Sequence, residues 1–252
     1  MQSRLTSISV RVNMRFLLVA LCCAAVTAAS APTANALSVR TPQTPEQIRE
    51  YYNSGTWERD VQAVVGRGKA FIAQPSNRAV KVITQKVKVK KAGKVKFTRK
   101  KVKLKPAIVL DIDETSLNNF GCLDEKDFNL GAIALCTFNA RGTAVKPVLE
   151  LYKLARDLGY KVFFLSARPE QAAVVGPSNK NLVEAGYAPG YELSFKRSGD
   201  PAKAADYKAA RRKLHESQGY RIVLNVGDQD SDLAGGAAML ALKLPNVIYV
   251  TT

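Results

Sequence analysis

Histidine occurs once in the 252 residues and cysteine four times. Histidine-ligated zinc, Ser/His/Asp triads and phosphohistidine chemistry therefore have a single imidazole, His215, to draw on. It stands among charged and polar residues in RRKLHESQG, which predicts a solvated helix face. Chemistry in this chain must rest on carboxylates, hydroxyls, amines and a hard metal ion. Acidic residues are missing from two stretches. Residues 1–36 hold three arginines and residues 78–105 hold 13 lysines and arginines, with no acid in either. Together these account for the net charge of +17, because the remainder has 22 basic against 21 acidic residues. A wholly basic nucleic-acid-binding domain is excluded on that count, and the charge must act locally. With 46% apolar and 23% charged residues, the chain is suited to one sizeable core.

Long apolar runs are also scarce. The one near the start, FLLVALCCAAVTAA, follows Arg4, Arg11 and Arg15 and precedes the small-residue triplet Ala34, Asn35, Ala36. This layout predicts a cleavable secretory signal over residues 1–36, with Met14 as an alternative start, and a secreted or extracytoplasmic protein. A membrane span wants roughly 20 strongly apolar residues, and this run is shorter and alanine-rich. No other stretch is apolar enough to cross a bilayer after signal cleavage. Cys22 and Cys23 would leave with the signal, so Cys122 and Cys136 remain. An even pair in an exported chain points to a disulfide, with two free buried thiols as the alternative.

In the mature part, residues 37–252, three stretches differ in pattern. Residues 37–78 read as a helical lead: Thr44 and Gln47 form a capping box with Pro45 at the first helical position, and Trp57, Val61, Val64 and Val65 follow at helical spacing. Residues 79–105 read as a basic β-hairpin, with alternating valines and lysines on either side of Ala92 and Gly93. The segment Lys86 to Lys105 then offers either an electropositive patch for a polyanion or cell-wall polymer, or a solvated face whose lysines block edge-to-edge aggregation. Residues 106–252 alternate apolar runs with helical patterns: AIVLDI, PVLELYKLARDLG, KVFFLS, NKNLVEAGY, YELSF, a helix from about Ala202 to Gln218, RIVLNV, a short helix after Asp232, and NVIYV. That rhythm predicts an α/β fold, a doubly wound parallel sheet, with residues 116–141 as a small cap insertion.

Ligands of such sheets bind at the carboxyl ends of the strands. The rule selects Asp111–Thr115, Ser166–Arg168 and Gly227–Asp232, each directly after an apolar run. Asp111, Asp113, Asp228 and Asp232 at one rim would repel one another unless protonation or a divalent cation compensated, and Mg²⁺ is the preferred hard ion. Asp232 competes for a second role as a helix N-cap.

The strings DIDET, FFLSAR, the lysine of DYKAARRKL, and NVGDQDSDL arrive in the order of the four motifs of the haloacid dehalogenase (HAD) superfamily, which the chain resembles. The flanking text KPAIVLDIDETSLNN, AVKPVLELY and KLPNVIYV is similar to the class B-type secreted acid phosphatases related to plant vegetative storage proteins. The basic hairpin lies outside the pattern. The resemblance implies a HAD-like Rossmannoid core in an exported Mg²⁺-dependent phosphomonoesterase working through an aspartyl-phosphate. Asp111 would be nucleophile and metal ligand, and Asp113 general acid and base, offering its backbone carbonyl to the metal. Asp228 and Asp232 would complete the metal site. Thr115, Ser166, Arg168 and Lys208 would serve the phosphate, with Lys203 as a fallback for Lys208. Arg168 before Pro169 has an equal alternative, bracing its loop by an ion pair. Asp113 would need a raised pKa to protonate a leaving alkoxide. A non-catalytic storage or anionic-surface-binding protein that keeps the phosphatase fold is the competing expectation.

Overall fold

A computed structural model describes residues 43–91 and 94–250. The expected signal over residues 1–36 and the expected turn at Ala92 and Gly93 lie outside the described residues. The described residues begin with three helices, α1 (Pro45–Asn53), α2 (Thr56–Ala73) and α3 (Pro75–Arg78), followed by strands β1 (Lys81–Lys91) and β2 (Lys94–Leu110). A small cap follows: β3 (Leu117–Asn118), α4 (Phe120–Asp124), a 3-10 turn at Leu130–Ala132, α5 (Ile133–Phe138) and β4 (Thr143–Ala144). The rest alternates as α6 (Lys146–Asp157), β5 (Lys161–Glu170), α7 (Ala172–Glu184), β6 (Glu192–Arg197), α8 (Ala204–Ser217), β7 (Tyr220–Gly227), α9 (Asp230–Leu233) and β8 (Leu240–Lys243).

The capping box at Thr44 forms as expected, with Thr44 N–H donating to Gln47 Oε1 and Gln47 N–H to Thr44 Oγ1. The sheet has strand order β6-β5-β2-β7-β8, all parallel, with β1 added antiparallel to β2. Period-two alternation divides the central strand between two cores. Ala107 and Val109 pack with Phe163, Leu165, Tyr207 and Ile222 beneath α8, whereas Ile108 and Leu110 join the larger core with Val61, Val65, Leu151 and Leu224 from α2, α6 and β7. Helices thus cover both faces, as the doubly wound reading requires. Gly68 allows α2 to approach closely, since a Cβ there would meet Leu242 and Leu224.

Four expectations need correcting. The second hairpin strand does not stop at residue 105: β2 is a single 17-residue strand whose first part pairs with β1 and whose last part pairs with β5 and β7. NVIYV is not a strand, because Asn246 Oδ1 accepts the N–H groups of Ile248 and Tyr249 and turns the chain; the last strand is LALK. The short helix near Asp232 ends at Leu233, where Gly235 and Gly236 take positive φ. His215 is buried rather than solvated, its ring stacked on Phe163 at 3.7 Å and Nδ1 paired with Gln218 Oε1 at 3.2 Å. The inner face of α8 is polar along Lys208, Arg212 and His215, so hydrophobic patterning marks it poorly.

The cap is tied shut. Cys122 and Cys136 form a disulfide joining α4 to α5, and β3 pairs with β4 at its base. Its outer side leans on α1, where Arg49 pairs with Asp124 at 2.6 Å and Tyr52 stacks between Trp57 and Phe120. Among the described residues, no helix is long and apolar enough to cross a membrane. Replacing both cysteines by serine should lower unfolding free energy by about 3 kcal/mol, the chain-entropy value for a loop of this size, as read by urea denaturation.

Candidate active site

Three chain segments meet at the carboxyl ends of β2, β5 and β7. Asp111 follows β2 directly and its N–H donates to Val226 O, which fixes the register of the two strand ends. Asp228 follows β7, and Asp232 lies one turn into α9. Carboxylate oxygens of Asp111, Asp228 and Asp232 lie within 4.8 Å of one another, and all three side chains are buried. Close packing of this kind is unfavourable for like charges unless a cation intervenes.

One cation is built in. Lys208 Nζ, from the buried face of α8, reaches Asp111 Oδ1 at 2.5 Å and also pairs with Asp232 Oδ1. Burial alone would favour its neutral amine, yet the two carboxylates hold it charged, above its ordinary range. Arg212, one turn further along α8, donates to the carbonyls of Asp232, Ala234 and Gly236 and so fixes the backbone that presents Asp232. Asp232 is not an N-cap: Gln229 is, and Asp232 Oδ2 accepts the Gln229 N–H at 2.8 Å in a reciprocal box.

Asp228 accepts from Thr115 Oγ1 at 2.9 Å, Gln229 Nε2 at 2.5 Å and Asn246 Nδ2 at 2.7 Å. Burial, then repulsion from Asp232, pushes its carboxyl up to about 6 despite those donors. Burial and Asp232 likewise raise Asp111 well above the carboxylate range, with Lys208 opposing. One ammonium against three carboxylates leaves about two negative charges in a nest of hard oxygen donors, the charge and ligand type suited to one divalent cation such as Mg²⁺.

Asp113 faces the other way. Arg168 grips it bidentately, Nε to Oδ2 at 2.8 Å and Nη2 to Oδ1 at 2.5 Å, and Asn119 Nδ2 adds a bond at 3.0 Å. Burial works to raise this carboxyl, but Arg168 and Asn119 outweigh it and hold it below the usual range. The raised pKa expected of a general acid is thus absent in the free site, because the arginine is an ion-pair partner as well as a pocket residue. Its Nη1 continues to Ser178 Oγ at 2.6 Å. Ser166 lies within β5, which runs on past the expected end at KVFFLS and shifts its register with β6 just after this residue; it is buried with Oγ accepting the Arg168 N–H, and it lines the same cavity. Thr115 does not: expected among the phosphate ligands, it sits behind Asp228 as that carboxylate's hydrogen-bond donor. Lys203 lies exposed ahead of α8 and is set aside in favour of Lys208.

The cavity is about 300 Å³, with Asp111, Asp113, Ser166, Arg168, Lys208, Asp228 and Asp232 on its floor and Leu130, Ile133, Tyr249 and Val250 on its wall. Sequence reading missed this wall and also Asn119, Gln229, Asn246 and Glu114. All four lie inside the strings quoted as similar to the family: Glu114 and Gln229 stand beside motif aspartates, and Asn119 and Asn246 belong to the flanking text. Glu114 is fully buried at φ 50°, accepts two bonds from Asn119, and burial pushes its carboxyl up to about 8.

A buried aspartate directly after a central parallel strand thus stands with two more carboxylates that follow β7, a lysine from α8 and a serine of β5 around one cavity. A profile of the HAD superfamily, subfamily IIIB (acid phosphatase), matches residues 9–252, and the chain belongs to that family. It is 35% identical to acid phosphatase 1 of Solanum lycopersicum over 56% of this chain and 57% of that protein. It is 32% identical to vegetative storage protein 2 of Arabidopsis thaliana, over 56% of this chain and 55% of that one. The chain thus spans little more than half the length of these relatives. The class C acid phosphatase from Bacillus anthracis shares the fold, with a TM-score of 0.57 at 20% identity over 82% of this chain and 86% of that one.

Gly227 is a specific demand of this geometry, since a Cβ there would overlap the Asp232 side chain. Gly227→Ala should destabilise the protein by about 1–3 kcal/mol through overpacking and displace Asp232 from the carboxylate nest. A lowered melting temperature together with weakened Mg²⁺ binding is the expected pair of results; loss of neither would overturn this role.

Proposed function

We propose that the protein is an exported, Mg²⁺-dependent acid phosphatase that hydrolyses small phosphomonoesters through an aspartyl-phosphate on Asp111. The observation that carries the reading is the convergence of Asp111, Asp228 and Asp232 at the strand ends, with the Lys208 ammonium paired to Asp111 and Asp232. Export, with removal of residues 1–36, is supported by the disulfide, since such bonds persist in oxidising compartments.

Asp111, Asp228 and Asp232, with the Asp113 backbone carbonyl, would hold Mg²⁺, which supplies positive charge against the phosphoryl oxygens. The Asp111 carboxylate attacks phosphorus as the ester P–O bond breaks, and the departing alkoxide takes a proton from Asp113. Water then attacks the acyl phosphate, Asp113 takes its proton, the Asp111–phosphorus bond breaks and phosphate leaves. Lys208 is already charged and in place, so it compensates the phosphoryl charge without reorganising. Ser166 Oγ donates to a phosphoryl oxygen. An incoming dianion competes with Asp113 for Arg168, and releasing that ion pair while adding negative charge raises the Asp113 pKa when a proton is needed. Arg168 therefore couples substrate arrival to the readiness of the acid.

The storage reading draws on the likeness to vegetative storage protein 2. Retention of Asp111 with its Lys208 partner favours turnover. Phosphate release from an aryl phosphate should fall at least about a thousandfold in Asp111→Asn and in the presence of chelator. Asp113→Asn should lose more activity on an alkyl phosphate than on an aryl one, whose leaving group needs no proton. A folded protein inactive on both esters would instead support the storage reading.

Mg²⁺ would compete with the proton at Asp228, whose carboxyl is pushed up to about 6 by burial and Asp232, and with that at Asp111, raised by the same two causes. Its affinity should therefore weaken as pH falls below about 6, approaching tenfold per unit for one displaced proton. Calorimetric Mg²⁺ titrations at pH 5 and pH 7 check the sign; equal affinities would exclude the competition.

A further inference from the structure

The basic hairpin is a free-standing arm. β1 pairs with β2 from Lys81↔Leu104 outward, whereas β5 and β7 join β2 only from Lys105 onward. The arm therefore leaves the sheet at the end opposite to the carboxylates, and at about 3.4 Å per residue its 11-residue strand extends roughly 37 Å. Opposite residues in the register share a face. One face carries Lys86, Lys88, Lys90, Arg99, Lys101 and Lys103, all exposed, together with Val82, Val95 and Phe97. The other carries Lys81, Lys96 and Lys100 beside half-buried Ile83, Val87, Val102 and Leu104. No acidic side chain interrupts either face.

We infer that this arm binds a linear carboxylated polysaccharide and holds the protein on it with the cavity left open. Cations on one face recur about 6.8 Å apart along each strand, a row that a flexible polyanion can follow. With lysines on both faces, a polymer can engage the whole ribbon, while a bilayer would meet only one side. The exposed apolar side chains are spread along the ribbon rather than gathered into an anchor, and one aromatic with two valines gives little area for insertion. Nucleic acid fits less well because single-strand binders stack bases on several aromatics, and Phe97 has the Lys86 ammonium over its ring at 4.7 Å. A second copy of the arm is excluded as partner by its own charge. The export proposed above, which the disulfide supports, would place the arm where acidic polysaccharides are available partners, and the choice of partner rests on that part of the reading. The inference is independent of whether the cavity turns over phosphate.

The test titrates the full chain with polygalacturonate, with phosphatidylserine vesicles and with oligo-dT at about 50 and about 200 mM NaCl. Polygalacturonate should bind tightest and weaken at least about tenfold between the two salt concentrations. Changing Lys86, Lys88, Lys90, Lys101 and Lys103 to Gln should cost at least about tenfold at low salt while leaving melting and phosphate release unchanged. The same change at Lys126, Lys146, Lys153, Lys180 and Lys213, all exposed outside the arm, should cost less than about threefold. If five substitutions unfold the arm, Lys88→Glu with Lys103→Glu tests the same row and should also lose about tenfold. Equal losses for the arm and control sets overturn the inference, as does binding of vesicles or oligo-dT at least as tight as that of polygalacturonate.

Discussion

The site depends on one buried ammonium. Asp111 and Asp232 come from different strand ends and would separate without a charge between them; Lys208 supplies it from the opposite layer. Each group would be costly to bury alone, and together they are stable only because the geometry closes. The requirement propagates outward. Arg212 fixes the backbone of Asp232 from the same face of α8, and His215 packs that helix onto Phe163, so three polar residues at helical spacing serve one carboxylate nest. Gly227 is forced by the same closeness.

A second ion pair balances the first. Arg168 neutralises Asp113 and keeps it from adding a fourth charge to the nest. Two cations from different elements thus divide four carboxylates into the clustered three, Asp111, Asp228 and Asp232, and a separately paired Asp113. That division is electrostatic before it is catalytic.

Much of this was legible in the sequence because strand ends and motif residues obey short-range rules. AIVLDI, KVFFLS and RIVLNV are apolar runs that end in polar residues, and the strand-end rule sends those residues to one place. Elements whose identity is set by long-range contacts were not legible. NVIYV has strand composition, but Asn246 turns it over the cavity by bonding both its own backbone and Asp228. His215 looked solvated because its neighbours are polar, although those at the helix period are buried. An ion pair at Arg168 was one of the two expectations for it, but its partner Asp113 lies 55 residues away and no local pattern names it.

The two halves of β2 join the features that the sequence separated. Its last residues are apolar on both faces and deliver Asp111 into the nest, while its first residues run into solvent as one side of the arm. A ribbon of two strands is marginal by itself, and continuity with the central strand anchors this one. The same continuity fixes its direction: a strand that carries its functional carboxylate at one end must begin at the other. Whatever holds the arm therefore faces away from the cavity mouth, and substrate access is preserved by strand polarity rather than by a separate hinge. The helical lead completes the separation on the other side, where Arg49 and Tyr52 brace the disulfide-closed cap over the cavity wall.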